Sequence, residues 1–171
     1  QSLNHDRFGD FPRPGFDHWV SFPGQGECVN PVLNVNGRSG RVKGYVTDLL
    51  TDRAVEFLRR KRSQPFCLYL AHKAIHPNIV QAADGSISKP GGGGAEDFIP
   101  AERHRALYAG LPLPRRPNYG KPPRNKPALE RALAGVAPLS AKTALDDETI
   151  RNRMRMAKAV DESLGRILEA V

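Results

Sequence analysis

Cysteine is scarce in this 171-residue chain, which has only Cys28 and Cys67. Neither sits in a Cys-x-x-Cys or other metal-ligand spacing, so the spacing excludes a thiol-redox motif and a cysteine zinc site. Whether the two pair stays open, and the redox compartment with it. Cys67 lies inside an apolar run and is expected to pack as a small hydrophobe, while Cys28 lies in a Gly-rich turn, GQGECVNP. Aromatic residues make up only 7%, which disfavours the stacking platforms that hold single-stranded nucleic acid. No RRM, helix-turn-helix, zinc-finger or OB signature appears, so no nucleic-acid partner is expected. No apolar run approaches the roughly 20 residues of a membrane-spanning helix. The opening QSLNHDRFGDFPRPGF lacks the basic-then-apolar order of a signal peptide.

Positive charge is in excess: 26 Lys and Arg against 18 Asp and Glu, a formal charge of +8. That balance suits an acidic substrate or a polyanion, and equally a solvated basic surface. The length would ordinarily make one domain with a sizeable core.

Residues 1–44 are irregular, with one short run, VLNV at 32–35, of strand character. In YVTDLLTDRAVEFLRRK the apolar Val46, Leu49, Leu50, Ala54, Phe57 and Leu58 recur at helical spacing. Asp48 and Asp52 near its start and Arg59, Arg60, Lys61 and Arg62 at its end complement the helix dipole. After the Ser63-Gln64-Pro65 break, Phe66 to Ala71 is continuously apolar. It reads as a central parallel strand covered on both faces. In open α/β sheets ligands bind beyond the carboxyl ends of such strands, and there stand His72, Lys73 and His76.

Residues 77–145 hold ten of the fifteen prolines and the Gly91–Gly94 tetrad. A flexible insertion is expected over about 79–97 and an irregular loop region over about 110–145, with a helical turn near 128–135. The last segment, DDETIRNRMRMAKAVDESLGRILEAV, places Ile150, Met154, Ala157, Val160, Leu164, Ile167 and Leu168 on one helical face, with Asp146 or Asp147 as N-cap. Arg151, Arg153 and Arg155 are expected on its solvated side. Asp161 is read as a helix-bonding residue, and His104 as packed or solvated. His18 is given no role. One convincing strand, one weak strand and two good helices are too little sheet for the helices, so the chain is expected to be a piece of a larger α/β domain.

GFDHWVSFPGQGECVNPVLNVNG, GYVTDLLTDRAVEFL, PFCLYLAHKAIHP, FIPAERHRALYAG and AVDESLGRILEAV, in that order, resemble segments of the sulfatase family of the alkaline-phosphatase-like superfamily. The resemblance implies an α/β sandwich with a central, mostly parallel sheet, incomplete here, with residues 1–171 the central part of a catalytic domain. It implies a sulfuric ester hydrolase with a formylglycine nucleophile and a calcium ion held by oxygen ligands. Its substrates would be sulfated small molecules or glycans, and its usual location periplasmic or secreted. The histidine before proline matches His76, which in the family contacts the sulfate and helps protonate the leaving oxygen. His72 and Lys73 match the preceding pair and are carried over as substrate-binding.

The chain departs from the family pattern in several places. No Cys/Ser-x-Pro-x-Arg occurs, and Cys28, in Cys-Val-Asn-Pro-Val, is rejected as the formylglycine precursor. The paired aspartates, the Lys-Trp-His segment and the later Asp-Asn pair of the family are also missing. No metal ligand is therefore assigned, and the 171 residues alone are expected to be inactive. Two other readings stand beside this one. The first is a non-catalytic basic module for sulfated or phosphorylated polyanions. The second is a related phosphate or phosphonate monoester hydrolase.

Overall fold

The computed structural model describes residues 13–81, 86–89, 94–131, 135 and 137–171. Its clearest β-structure comes from a turn. Asn36 and Gly37 both take positive φ, 51° and 92°, the geometry of the two-residue hairpin turn whose twist suits antiparallel strands. The Gly37 N–H donates to Asn34 Oδ1 at 2.9 Å, fastening the turn. It joins β2 (Val32–Val35) to β3 (Arg38–Arg41) with Val35 opposite Arg38, and β1 (Val20–Ser21) adds to the other edge of β2. The sheet is thus antiparallel.

Helix α1, Val46–Leu58, follows and buries Val46, Thr47, Leu50, Thr51, Ala54 and Val55. Beyond its end the Arg62 guanidinium bonds the Phe57 carbonyl and lies over the rings of Phe57 and Phe66. Arg60 pairs with Glu56 one turn back.

Phe66–Ala71 departs from expectation. The segment joins no strand ladder, and Phe66 and Tyr69 are 50% and 83% exposed. A run buried on both faces needs a strand on either side, and no described strand lies alongside it. Cys67, expected to pack within the run, is exposed for the same reason, and Cys28 in the Gly-rich turn is fully buried.

Within the expected insertion, β4 (Val80–Gln81) and β5 (Ile87–Lys89) pair antiparallel, and a 3-10 turn follows at Ala95–Asp97. Gly91–Gly93 lie outside the described residues. A second 3-10 turn spans Glu102–His104, and the helical turn near 128 is a single one, α2, at Pro127–Glu130; residues 132–134 are also outside the description.

Helix α3, Asp147–Leu168, begins on Asp146, whose carboxylate accepts the Thr149 N–H at 2.8 Å and the Thr149 hydroxyl at 2.7 Å. It packs on α1 through a face that differs from the apolar stripe. The buried residues are Thr149, Arg155, Met156, Ala159 and Ser163. Arg155 is therefore an inward residue, donating to the Leu107 carbonyl at 2.8 Å and Asn152 Oδ1 at 2.7 Å and pairing with Glu148. Asp161 is paired with Lys158 on the surface. The core lies where the Cys28 turn, the start of α1, the 98–101 stretch and α3 converge, in a cluster of Cys28, Tyr45, Phe98, Ala101, Met156 and Ala159. Among the described residues no helix is long and apolar enough to cross a membrane.

Candidate functional site

Residues 72–78 form the loop after the extended run, and its three candidate side chains point in different directions. His72 is half-buried, turned towards the α1–α3 seam, with Nε2 3.0 Å from Ser163 Oγ. The Thr51 hydroxyl bonds both the Thr47 carbonyl, at 2.6 Å, and Ser163 Oγ, at 2.7 Å. One hydroxyl carries one proton and a carbonyl can only accept. The proton of Thr51 therefore goes to Thr47, that of Ser163 to Thr51, and the His72 Nε2–H to Ser163. His72 Nδ1 is buried without a partner. Burial pushes the His72 pKa below its ordinary value, with Asp48 opposing weakly, so the ring is neutral near pH 7.

Lys73 is 6% exposed. Its ammonium donates to the Gln25 carbonyl and to the Pro77 carbonyl, each at 2.9 Å. The first bond ties the loop to the Gly24–Gly26 turn. Burial lowers its pKa from the ordinary lysine value, and Cys28 counteracts part of that shift. Asn78 adds two ties: its Oδ1 accepts the Cys28 N–H at 2.8 Å and its own N–H donates to the Asp97 carbonyl at 2.6 Å.

His76 faces solvent. Its backbone N–H donates to the Lys73 carbonyl, closing a turn at 2.9 Å. Its Nδ1 lies 2.9 Å from the Pro77 carbonyl. Since that oxygen can only accept, Nδ1 carries the proton, and in the neutral ring Nε2 presents a lone pair to solvent. An imidazole so held can accept a proton at Nε2 and return it to an oxygen placed there. Of the three candidates, only His76 presents its ring to a ligand from outside.

A second constellation lies behind the loop. Arg103 makes a bidentate pair with Asp48, 2.7 and 2.8 Å, and bonds Glu162 Oε2 at 2.8 and 2.9 Å. His104, 3% exposed, donates from Nε2 to Glu162 Oε1 at 2.8 Å. Burial would raise the Glu162 pKa, yet the hydrogen bonds from Arg103 and His104 outweigh it and hold the carboxyl below its usual range. The role of Ser163 had no motif to reveal it, its one clue being a small polar residue amid long side chains. The Pro77 and Gln25 carbonyls carry no sequence signal at all.

A cavity of about 980 Å³ opens between α1, the Phe16–Gly24 stretch and the 61–71 run. His18 lines it, stacked on Phe57 and accepting from Asn36 Nδ2 at 3.1 Å, but His72, Lys73 and His76 do not. Among the described residues, no three His, Cys, Asp or Glu side chains are grouped to hold a metal ion. The donor set therefore does not fit calcium, and none of these residues is assigned to it.

A family model described as Sulfatase matches residues 1–171. An N-acetylglucosamine-6-O-sulfatase of Bacteroides thetaiotaomicron is 40% identical over 72 residues, 40% of this chain and 13% of that protein. The sulfatase ppz1 of Metarhizium majus is 30% identical over 151 residues, 84% of this chain and 32% of its own length. The chain thus spans less than two thirds of either relative. A solved structure, described as a complex with its substrate D-glucosamine-2-N,6-O-disulfate, superposes with a TM-score of 0.61 at 20% identity, covering 93% of this chain and 41% of that one. The likeness is one of fold, and the helices and small antiparallel sheet here make an incomplete α/β sandwich of that kind.

Proposed function

The chain belongs to the sulfatase family of hydrolases, and from that premise we propose that it supplies the His76 wall of a site that hydrolyses a sulfate ester of a sugar. The observation that carries the reading is the state of His76, solvent-facing with Nδ1–H committed to the Pro77 carbonyl and Nε2 uncommitted. The protonated ring donates from Nε2 to a sulfate oxygen in the bound ester. As the ester bond to sulfur breaks, the same nitrogen delivers its proton to the departing sugar oxygen, which would otherwise leave as an alkoxide. The histidine then needs only to regain a proton from water. No Cys/Ser-x-Pro-x-Arg occurs in the sequence, and no described cluster fits a metal ion; nucleophile and metal are therefore given to no residue of this chain. The sugar class rests on the N-acetylglucosamine-6-O-sulfatase relative and on the glucosamine disulfate bound by the solved neighbour.

The test is kinetic, on the full-length gene product carrying His76→Gln, with a 6-O-sulfated glucosamine as substrate. The expected loss in kcat is about 100-fold or more, the usual worth of a positioned acid. An unchanged kcat would sink the assignment.

A second reading is favoured by a different observation. Arg116, Lys121, Arg124 and Lys126 are exposed and have no acidic partner among the described residues. Elsewhere cations such as Arg41, Arg103 and Arg166 are paired. This surface would hold a sulfated polymer by counterion release. Retention on immobilised heparin that falls steeply with salt, and survives His76→Gln, would support it. Elution at low salt would remove it.

A further inference from the structure

We propose that Lys73 is a positioning residue for His76, acting through the Pro77 carbonyl that the two side chains share. The sequence makes Lys73 a candidate sulfate ligand, but its geometry is that of a strut. A lysine that meets an anion must present an N–H to the site, whereas this one is buried and directed at two backbone carbonyls, one of them 48 residues away in sequence. The Pro77 oxygen has two lone pairs. They accept three donors between them: Lys73 Nζ and His76 Nδ1, both at 2.9 Å, and the Ile79 backbone N–H at 3.1 Å.

That sharing has a chemical consequence. In water the neutral imidazole side chain favours its proton on Nε2, so keeping it on Nδ1 requires an acceptor that does not move. The Ile79 N–H holds the carbonyl only to its own loop, and Lys73 ties it to the Gln25 carbonyl on the far side. The far anchor is itself rigid. Gly26 has φ +67°, its N–H donates to the Pro23 carbonyl at 3.0 Å, and a Cβ there would lie 2.4 Å from the Phe22 ring. Charged or neutral, the lysine keeps enough N–H groups for both carbonyls, so its depressed pKa does not undo the strut. The orientation of a histidine by the partner of its other nitrogen is a general device, and loss of such a partner commonly costs about 10- to 100-fold in activity.

The inference rests on the reading of His76 as the sulfate-side donor, and the experiment separates the two. The full-length protein is labelled with 15N in its imidazoles, and the His76 tautomer is read by NMR in the native protein, Lys73→Met and Lys73→Gln. The native ring is expected in the Nδ1–H form. In Lys73→Met it moves towards Nε2–H, and kcat on a 6-O-sulfated glucosamine falls about 10- to 100-fold with KM within about twofold. Lys73→Gln, whose amide can still donate to one carbonyl, is expected between the two. A native ring protonated on Nε2, or a tautomer unmoved in both variants, overturns the proposal. So does a raised KM with unchanged kcat, which would place Lys73 on the substrate. If Lys73→Met does not fold, the native spectrum and Lys73→Gln decide. If His76→Gln retains activity, the catalytic reading fails while the tautomer still tests the strut.

Discussion

On one side of α3, Thr149, Met156, Ala159 and Ser163 are buried, while on the other Leu164 and Leu168 are 55% and 68% exposed. The same contrast holds between α1, which buries Thr47 and Thr51 beside Val46 and Leu50, and Phe66–Ala71, whose Phe66 and Tyr69 lie open. The covered seams are thus lined largely by small and polar residues, whereas much of the apolar surface is uncovered. Small residues let two helices approach closely, and Thr51, Ser163 and His72 satisfy one another's polar atoms inside the seam. Apolarity shows that a surface wants a cover, but not that this chain supplies one.

The strongest way to break the comparison is at Met156, which is 1% exposed in the core cluster. Met156→Ala removes most of a fully buried side chain and leaves a cavity, so chemical denaturation is expected to show a loss of about 3 kcal/mol. Thr51→Val comes next. It preserves shape but leaves Ser163 and the Thr47 carbonyl short of a partner, at about 1–2 kcal/mol in the same measurement. An unchanged midpoint for Thr51→Val would mean the seam is held by packing alone.

A smaller effect is specific to pH. Burial holds the folded pKa of His72 below 6.5. Between the folded and unfolded values the unfolded chain binds more protons, so stability rises with pH across that window. The contribution is complete above pH 6.5 and is lost as pH falls through the folded value. Melting temperature should therefore drop on acidification below neutrality, and His72→Gln, which can donate to Ser163 but does not titrate, should flatten that slope. Glu162 also has a depressed pKa, from 4.5; its contribution is present above that value and lost only at lower pH, which separates it from His72. Arg103→Met tests the neighbouring ion cluster. Its guanidinium side chain is 45% exposed, so solvent screens the pairs with Asp48 and Glu162, and a loss of about 1 kcal/mol that shrinks with salt is expected from thermal melts.

These experiments bear on features that the sequence exposes unevenly. Both long helices are readable from their periodicity, and Asp146 from the cap pattern, because each signal is local. The Asn36-Gly37 turn was equally local and marks the β2–β3 hairpin that VLNV only hinted at. The pairing of Phe66–Ala71 was not readable, since an apolar run names no partner. For the same reason Cys67 did not take the packed place expected of it, and Arg155 turned inward from an apparently solvated row. At the site, residue types near the loop were readable but their directions were not. His72 faces Ser163, 91 residues away, and Lys73 faces Gln25, 48 residues away; only the folded chain brings such partners together.

The smallest expected effect is the most telling for the comparison. Leu164→Gln with Leu168→Gln changes two side chains that keep more than half of their surface in contact with solvent. Such residues gain little by folding, so the double variant should alter stability by about 0.5 kcal/mol or less in the 171-residue chain. In a longer chain whose added part covers this stripe, the same pair would lose buried apolar area and carry amides into it, and the cost should rise to several kcal/mol. A large cost already in the 171-residue chain would mean that its own copies cover the stripe, and sedimentation of the variant would show them coming apart. A negligible cost in both lengths would leave the stripe solvated throughout, and the contrast between the two sides of α3 would then be a property of the helix itself.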